Sequence, residues 1–517
     1  MTATTDLSEL QLRLWAAADE LRANSRLTAA QYRDPVLGLI FLAFAEHRFE
    51  AARPEVEAKR SARRPATADD YRARGILFVP DEALLSRLVE LPEQVDLGES
   101  IDAAMAAIER HNDGLDDMLP RGYQRLEKST LIELVRLFAE LPAKVSGDGF
   151  GLIYEYFLAN FAQAEGRLGG EFFTPQSIVR LIVNVIEPYH GKVFDPACGS
   201  GGMFVHCAKF VARHEGSPSR ELSVYGQEQK DSTFPLARMN LALHGLSGDI
   251  RQANSYYEDP HDCVGRFDFV MANPPFNVDK VDKGKLADDR GRFPFGLPKP
   301  DNANFLWIQL FYAALNDHGR AGFVMANSAS DARASEAEIR RQLVQSRAVD
   351  VMIAISPNFF FTVTLPVTLW FLDRGKRGTP REDTVLFIDA RHTFRQTDRA
   401  HRDFSPGQLS LITNIVRLYR QEDLETDGDA SLLTERFPDG RYVDVPGLCR
   451  VASLADIESQ GWSLNPGRYV GSPVGTEDDG EFPSRLAALH ADFAALSDDA
   501  ERLRKLVDLA VNGLLEQ

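Results

Sequence analysis

The chain is most informative at residues 193–204, which are VFDPACGSGGMF. An apolar strand ends at Asp195, a glycine-rich turn of Gly199, Ser200, Gly201 and Gly202 follows, and an apolar helix begins there. Glycines let a backbone approach a ligand closely, and the first amides of a helix attract a carboxylate. A dinucleotide site would need glycine where Phe204 stands, which makes NAD a poor alternative. An ordinary tight turn is the other alternative.

Apolar runs alternate with helical segments on the carboxyl side of this turn. The predicted strands lie at residues 192–195, 223–226, 267–272, 321–326, 349–355, 367–372 and 385–388. The predicted helices lie at residues 202–214, 232–244, 304–316 and 335–346. This order predicts an α/β fold of the Rossmann-like type, with a mostly parallel, doubly wound sheet. Ligands of such sheets bind at the carboxyl ends of the strands.

The length of 517 residues suits two or three domains. We predict an all-helical N-terminal domain over residues 1–145, the α/β domain over 146–445, and a C-terminal segment over 446–517. The last segment carries apolar residues spaced alternately by four and three, which is a heptad seam: Phe482, Leu486, Leu489, Phe493, Leu496, Ala500, Leu503, Val507, Ala510 and Leu514. A terminal seam needs a partner helix, either in another chain or, as the alternative, in this one.

The composition is that of a globular protein with a formal net charge of -18 at pH 7. Charge alone favours a protein that does not touch DNA, or one that depends on a basic partner to reach it. Four cysteines without paired spacing argue against structural zinc and fit a reducing cytoplasm. The apolar run at residues 36–45 is too short to span a bilayer and predicts a buried helix. We therefore expect a cytoplasmic protein without a membrane segment.

The tetrapeptide Asn273-Pro274-Pro275-Phe276 follows the apolar run at residues 267–272. An adenine amine is a poor nucleophile because its lone pair is delocalised into the ring. The Asn273 side-chain oxygen and the Pro274 carbonyl can accept from its two N–H groups, and the fixed φ of proline holds that carbonyl. Phe276 offers a face for a base extruded from the duplex. These residues predict direct methylation of an amine through positioning and electrostatics, without a metal; a simple turn is the alternative.

Three acidic or amide side chains complete the predicted cofactor site. Asp195 is placed to bind the ammonium of S-adenosylmethionine, directly or through water. Glu228 ends the next strand, where a carboxylate can accept from both ribose hydroxyls. Asn254 follows the third strand and is placed to meet the adenine ring. A lone acid after a strand is usually a solvated residue, and Glu228 gains weight only from its position after the glycine-rich turn.

Together these motifs resemble the modification (methyltransferase) subunits of type I restriction–modification systems, in the gamma group of amino-methyltransferases. The resemblance covers about residues 5–470 and includes GGEFFTPQ at 169–176, RMNL at 238–241 and His244-Gly245. It implies cofactor contacts from Ser200, Gly201, Gly202 and Glu228, and from the segment Glu171, Phe172, Phe173, Thr174, Pro175 and Gln176. Asn254 departs from the family pattern, which often has aspartate there, although its amide oxygen can still accept from the adenine amine.

The resemblance also implies partners. Such subunits depend on a specificity subunit for their DNA target, commonly with two copies per specificity subunit, and a restriction subunit is a further expected partner. No G-x-x-x-x-G-K-[ST] phosphate loop occurs, so ATP-driven translocation is not expected in this chain. Six basic residues between Lys280 and Asn302 indicate either a functional loop or an unstructured insertion. The alternatives to adenine methylation are cytosine N4, a protein glutamine, or a non-catalytic scaffold.

Overall fold

The computed structural model describes residues 3–24, 29–58, 66–141, 149–165, 174–299, 302–360, 365–397, 401–425, 429–472 and most of 486–505. These residues form two compact units. The first contains the described residues up to Val445 together with Cys449–Val470. The second contains Pro446–Leu448 and the described residues from Gly471 onward. The sequence-based boundary after residue 445 therefore falls before the first unit ends.

The N-terminal part of the first unit is helical, as predicted for residues 1–145. Its helices are α1 (Ala3–Asn24), α2 (Ala29–Ala58), α3 (Ala68–Arg72), α4 (Leu85–Val89), α5 (Leu97–His111), α6 (Lys128–Ala139) and α7 (Gly149–Glu165). The apolar side chains from Val36 to Ala45 in α2 are at most 4% exposed, so the predicted buried helix is confirmed. None of the helices in the described part of the chain is long and apolar enough to cross a membrane.

Strands and helices alternate from residue 176 onward. The first half comprises α8 (Gln176–Ile186), β1 (Gly191–Asp195), α9 (Gly202–Arg213), α10 (Pro218–Glu221), β2 (Leu222–Glu228), α11 (Phe234–Leu243), β3 (Gly248–Gln252) and β4 (Phe267–Ala272). The second half comprises α12 (Asn304–Ala314), β5 (Leu315–Ala326), α13 (Ser335–Gln345), β6 (Val349–Ile355), β7 (Val367–Asp373), β8 (Thr384–Asp389), β9 (Arg395–Gln396), β10 (Arg402–Asp403), α14 (Pro406–Arg420), α15 (Ser431–Arg436), β11 (Cys449–Ser453) and α16 (Leu454–Ser459).

The main sheet has nine strands in the order β11-β8-β6-β7-β5-β4-β1-β2-β3. Five neighbouring pairs are parallel, and the antiparallel pairs are β5 with β7, β6 with β7 and β8 with β11. The predicted mostly parallel sheet is thus confirmed. Beginning at β1, the chain builds outward through β2 and β3, and then returns to place β4 on the other side of β1. This reversal creates a crevice between the carboxyl ends of β1 and β4, where ligands of such sheets bind.

The last strand lies beyond the predicted domain boundary. β11 pairs antiparallel with β8, from Cys449 opposite Ile388 to Ser453 opposite Thr384. Its five residues, CRVAS, include only short or isolated apolar side chains, because an edge strand is covered on one side only. The sequence pattern therefore lacked the continuous apolar run that identified the central strands. Likewise α12 ends at Ala314 and not at residue 316, because Leu315 already begins β5.

The helical region packs directly on the α/β region within the first unit. The Arg238 guanidinium on α11 donates to the Gly114 carbonyl from Nε at 2.9 Å and from Nη2 at 2.6 Å. Beside it, a Cβ added to Gly245 would lie 2.3 Å from the Gly75 carbonyl oxygen, and both glycines have positive φ. Only glycine allows this approach of two backbones. The contact holds α11, and through it the glycine-rich turn, against the helical region.

Candidate active site

Asp195 ends β1 and is almost fully buried, at 1% exposure. Its Oδ1 accepts a hydrogen bond of 2.9 Å from the Ala197 main-chain amide. Burial raises the pKa of the Asp195 carboxyl to about 8, and the charge of Glu228 acts in the same direction against the backbone hydrogen bond. A carboxyl held in this state favours a cationic ligand, because a nearby positive charge would stabilise its ionised form.

Hydrogen bonds from two sides hold the glycine-rich turn in place. Gly201 has the left-handed conformation, with φ of 77°, and caps α9. The Asn240 side chain on α11, which is completely buried, donates from Nδ2 to the Ser200 carbonyl at 2.8 Å. On the other side, Glu228 Oε2 accepts from the Gly199 main-chain amide at 3.0 Å, while its Oε1 accepts from the Lys230 main-chain amide at 2.7 Å. Glu228 thereby joins the loops that follow β1 and β2.

Asn254 forms the turn that follows β3. Its Oδ1 accepts from the Tyr256 amide at 3.1 Å, and its main-chain amide donates to Glu258 Oε1 at 3.0 Å. The oxygen that the sequence assigns to the adenine amine therefore has a structural role as well. A carbonyl oxygen has two lone pairs, so both roles are compatible.

The tetrapeptide follows β4, beside the glycine-rich turn. Val193 and Phe194 of β1 pair with Phe269 and Val270 of β4, which places both segments at the same edge of the sheet. Asn273 Nδ2 donates a hydrogen bond of 2.9 Å to Thr174 Oγ1, just before α8. Thr174 was predicted only as a cofactor contact, and the structure shows that it also touches the tetrapeptide.

One cavity of about 440 Å³ joins most of the predicted site residues. Its lining includes Thr174, Gln176, Asp195, Gly199, Ser200, Gly202, Glu228, Asn254, Asn273, Pro274 and Pro275. Three other predicted site residues are neighbours of this lining in the sequence but are not part of it: Pro175, Gly201 and Phe276. Pro175 is the N-cap of α8, and Gly201 faces Ala237 of α11. Phe276 is half-buried and follows the two prolines. Glu171, Phe172 and Phe173 lie outside the described residues.

The cavity wall fits a cofactor with a charged amino-acid end. At Gly199 and Gly202, a Cβ would meet no atom within 4 Å, so the bare backbone of the turn faces open space. Main-chain amides at the start of α9 suit a carboxylate, and the buried Asp195 suits an ammonium group. Glu228 supplies a carboxylate where ribose hydroxyls would be held. This donor set fits S-adenosylmethionine.

Two aromatic residues of the cavity were missed by the sequence analysis. Tyr256, in the turn after β3, and Trp307, on α12, are 6% and 4% exposed, and their ring centroids are 4.7 Å apart. Both line the cavity. No sequence pattern distinguishes Trp307, because nearly all residues of α12 are apolar, and only its position after the tetrapeptide could have indicated more.

The helical region also contributes to the cavity wall. Glu155 of α7 accepts from Gln176 Nε2 and from Lys209 Nζ, each at 2.7 Å. Arg33 of α2 lines the cavity and donates to the Ser232 carbonyl at 3.2 Å. The wall of this cavity is therefore built by both parts of the first unit, a feature that motifs within the α/β region do not indicate.

The basic segment after the tetrapeptide has definite structure in its described residues. It contains a short 3₁₀ helix at Lys283–Leu286, and Phe293 is buried. The Arg292 guanidinium is buried and donates to the Ser255 carbonyl at 3.0 Å and the Glu258 carbonyl at 3.2 Å. This arginine supports the turn that carries Asn254 and Tyr256. The alternative of an unstructured insertion is wrong for these residues.

Comparison with known proteins identifies the family. The family profile described as N-6 DNA Methylase matches residues 145–478, and that of the HsdM N-terminal domain matches residues 10–138. The Type I restriction enzyme MjaIX methylase subunit of Methanocaldococcus jannaschii is 35% identical over 98% of this chain and 91% of that protein. The HindI methylase subunit of Haemophilus influenzae is 36% identical over 76% of this chain and 86% of that protein.

A solved structure shows the same fold. The type I restriction-modification system methyltransferase subunit from Streptococcus thermophilus superposes with a TM-score of 0.71, covering 90% of this chain and 99% of that one, at 23% identity. The resemblance noted in the sequence is thus confirmed. With a profile match across the whole α/β region and relatives above 30% identity, the chain belongs to the N-6 DNA methylase family, among the methylase subunits of type I restriction enzymes.

Proposed function

We propose that this chain transfers a methyl group from S-adenosylmethionine to N6 of an adenine flipped out of a DNA duplex, at a sequence chosen by a separate specificity subunit. The observation that carries the proposal is the shared cavity. The predicted cofactor residues Asp195 and Glu228 and the predicted catalytic residue Asn273 line one space at the carboxyl ends of neighbouring strands. A methyl donor and an amine held there would meet without a covalent enzyme intermediate.

We assign each end of the cofactor to residues of this chain. Asp195 binds the ammonium, the amides from Gly199 to Gly202 bind the carboxylate, and Glu228 accepts from the ribose hydroxyls. Asn254 meets the adenine ring at its edge, and Trp307 covers a face of it. When bound, S-adenosylmethionine supplies a methyl group made electrophilic by its sulfonium. The resemblance adds contacts from Glu171, Phe172, Phe173, Thr174, Pro175 and Gln176.

The tetrapeptide acts on the target amine. Asn273 Oδ1 and the Pro274 carbonyl accept from its two N–H groups and draw its lone pair out of conjugation with the ring. Pro274 and Pro275 hold the carbonyl direction because their φ is fixed. Phe276 stacks on the flipped base, which must leave the duplex for its N6 to be reached. The catalytic contribution is positioning and preorganised hydrogen bonding.

We propose that a partner subunit recognises the DNA target sequence. A formal net charge of -18 is unfavourable for a chain that binds DNA alone. A specificity subunit bound by two copies of this chain would supply the recognition surface, and a restriction subunit would join the same assembly. We divide the chain into three parts: the helical region, the α/β region extended to Val470, and the C-terminal segment with its heptad seam. The seam is the surface we assign to the specificity subunit.

Nucleoside mass spectrometry tests the proposal. The full chain, co-expressed with the specificity subunit in a host that lacks adenine methylation, should produce N6-methyladenine in the host DNA. Asn273→Ala should abolish that product while the variant still binds S-adenosylmethionine, since Asn273 acts on the amine and not on the cofactor. If N4-methylcytosine appears in place of N6-methyladenine, the methyl acceptor is cytosine. If the DNA is unmodified and a protein carries methylglutamine, the acceptor is a glutamine side chain. Unchanged N6-methyladenine with Asn273→Ala would refute the catalytic assignment.

A further inference from the structure

The first residue of α12, Asn304, lies 27 positions after Asn277 in the sequence and touches it directly in the fold. Asn304 Oδ1 accepts from the Asn277 main-chain amide at 2.9 Å, and Asn304 Nδ2 donates to Asn277 Oδ1 at 2.9 Å. Asn304 is 2% exposed. Both polar atoms of its side chain therefore form hydrogen bonds with one residue, the one that follows the catalytic tetrapeptide.

The orientation of both amides is determined by this geometry. A main-chain N–H can only donate, so the end of Asn304 that faces it must be the oxygen. Nδ2 then faces Asn277, whose contacting atom must be its own oxygen. No rotation of either amide preserves both hydrogen bonds, and the pair therefore has one arrangement.

The Asn277 backbone is in the left-handed region, with φ of 54°. Asparagine is one of the few residues with a side chain that enter this region, and the amide pair with Asn304 holds Asn277 in it. Two further contacts hold the same segment: Ala303 donates to the Val278 carbonyl at 3.0 Å, and Asn302 Nδ2 donates to Asn277 Oδ1 at 3.4 Å. The start of α12 thus fixes the sharp turn at which the tetrapeptide ends.

We propose that Asn304 is a positioning residue for methyl transfer, which, through Asn277, holds the Phe276 ring and the Pro274 carbonyl where the target base requires them. The inference rests on the proposed function. Without the amide pair, the left-handed turn at Asn277 is no longer fixed, and the chain after Pro275 can take other directions. The acceptors of the target amine lose their alignment, while the cofactor residues on β1 and β2 keep theirs.

The same helix offers a matched control. Gln309 on α12 is also completely buried, its Oε1 accepts from the Phe295 amide at 2.8 Å, and its Nε2 donates to the Gly296 carbonyl at 2.9 Å. It holds a different loop with the same kind of bond. Gln309→Met and Asn304→Leu each replace a buried amide by an apolar side chain of similar size, and only the second removes hydrogen bonds from Asn277.

The test compares these variants in the full chain assembled with the specificity subunit, using S-adenosylmethionine with a tritiated methyl group and unmethylated DNA. Asn304→Leu and Asn304→Ala should lower kcat by about 10-fold to 100-fold with the KM for S-adenosylmethionine within about twofold of the parent value. Gln309→Met should lower kcat by less than about threefold. Asn277→Gly, introduced into Asn304→Ala, should restore most of kcat because glycine adopts positive φ without support.

Each remaining outcome decides the matter. If Asn304→Leu loses cofactor affinity in proportion to kcat, or if Gln309→Met is as damaging, Asn304 serves only the stability of α12 and the inference is wrong. A parent-like kcat in both Asn304 variants refutes it as well. If the parent assembly itself makes no N6-methyladenine, the proposed function has failed instead. Should Asn304→Ala not fold, Asn304→Leu and Asn304→Leu with Asn277→Gly carry the same comparison.

Discussion

Thr174 accepts a hydrogen bond of 2.9 Å from the side-chain amide of Asn273, across 99 positions of sequence. The contact joins the segment just before α8 to the residue just after β4. With Nδ2 facing Thr174, the Asn273 oxygen is at the opposite end of the amide. That oxygen is the atom which the proposed mechanism needs as an acceptor. A residue assigned to the cofactor by resemblance therefore also contacts the catalytic side chain.

Thr174→Val should lower the rate of methyl transfer at saturating cofactor by about 10-fold, because a buried amide that loses one hydrogen-bond partner costs roughly 1–3 kcal/mol. Valine has the shape of threonine without its hydroxyl. Thr174→Ser keeps the hydroxyl and should retain most of the rate. Single-turnover measurements on the assembled enzyme check both variants, and equal rates for valine and serine would show that the hydroxyl has no part in positioning Asn273.

Asp195 should make cofactor binding depend on pH. Because its pKa is raised to about 8 by burial, the free protein holds a proton there at neutral pH, and an ammonium ligand would displace it. Affinity should rise with pH up to about 8 and then fall as the amino group of the cofactor, whose pKa is also near 8, loses its own proton. Asp195→Asn should retain only the falling limb.

Titration calorimetry in buffers of different ionisation enthalpy measures the displaced proton. The parent protein should release about one proton per cofactor at pH 7, and Asp195→Asn almost none. A parent protein that releases no proton would contradict the ion pair between Asp195 and the ammonium. The same group affects stability, since the unfolded chain loses this proton near pH 4 and the folded chain keeps it to about 8. The free energy of unfolding should therefore fall between these pH values, and less so in Asp195→Asn.

The architecture could be predicted because a parallel sheet leaves a strong signal. Central strands such as Val349–Ile355 are buried on both faces, and all residues of this strand except Asp350 are apolar. The glycine-rich turn and the tetrapeptide then indicated the edge of the sheet at which the site lies. β11 gave no comparable signal, since an edge strand needs fewer apolar residues.

The residues that sequence reasoning missed are those whose roles depend on long-range contacts. Asn304 and Trp307 occupy an apolar helix and look like a cap and a core residue until α12 is placed beside the tetrapeptide. Glu155 belongs to another region of the chain, and only the packing of α7 brings it to Gln176. Local patterns contain no information on such pairs. The cofactor and catalytic roles assigned from motifs remain predictions that the variants above test.

Trp307 should report cofactor binding through its fluorescence. It is one of four tryptophans, and an adenine ring placed against the part of its indole ring that lines the cavity would quench its emission. We expect S-adenosylmethionine to quench the parent protein, and Trp307→Phe to lose most of the change while binding almost as tightly. Trp307→Ala should weaken binding by about 10-fold, since a stacked aromatic contact contributes roughly 1 kcal/mol beyond the area it buries. Trp462→Phe serves as the control, and quenching that survives Trp307→Phe would place the adenine elsewhere.

The C-terminal seam should carry assembly with the specificity subunit. Five of its ten positions lie outside the described residues, but Leu486, Phe493, Leu496 and Leu503 are helical and between 55% and 70% exposed. Burying such a side chain against a partner stabilises a complex by about 1.5–3 kcal/mol, so Phe493→Glu with Leu496→Glu should weaken assembly by at least 100-fold.

The neighbouring exposed positions Ala494 and Ser497 lie off the seam, and Ala494→Glu with Ser497→Glu adds the same charge as a control. Co-purification and calorimetry of the two chains measure the difference, while cofactor binding by the isolated chain should be the same in all variants. If the seam variant assembles as well as its control, the specificity subunit contacts another surface, and the net charge of -18 must be offset there instead.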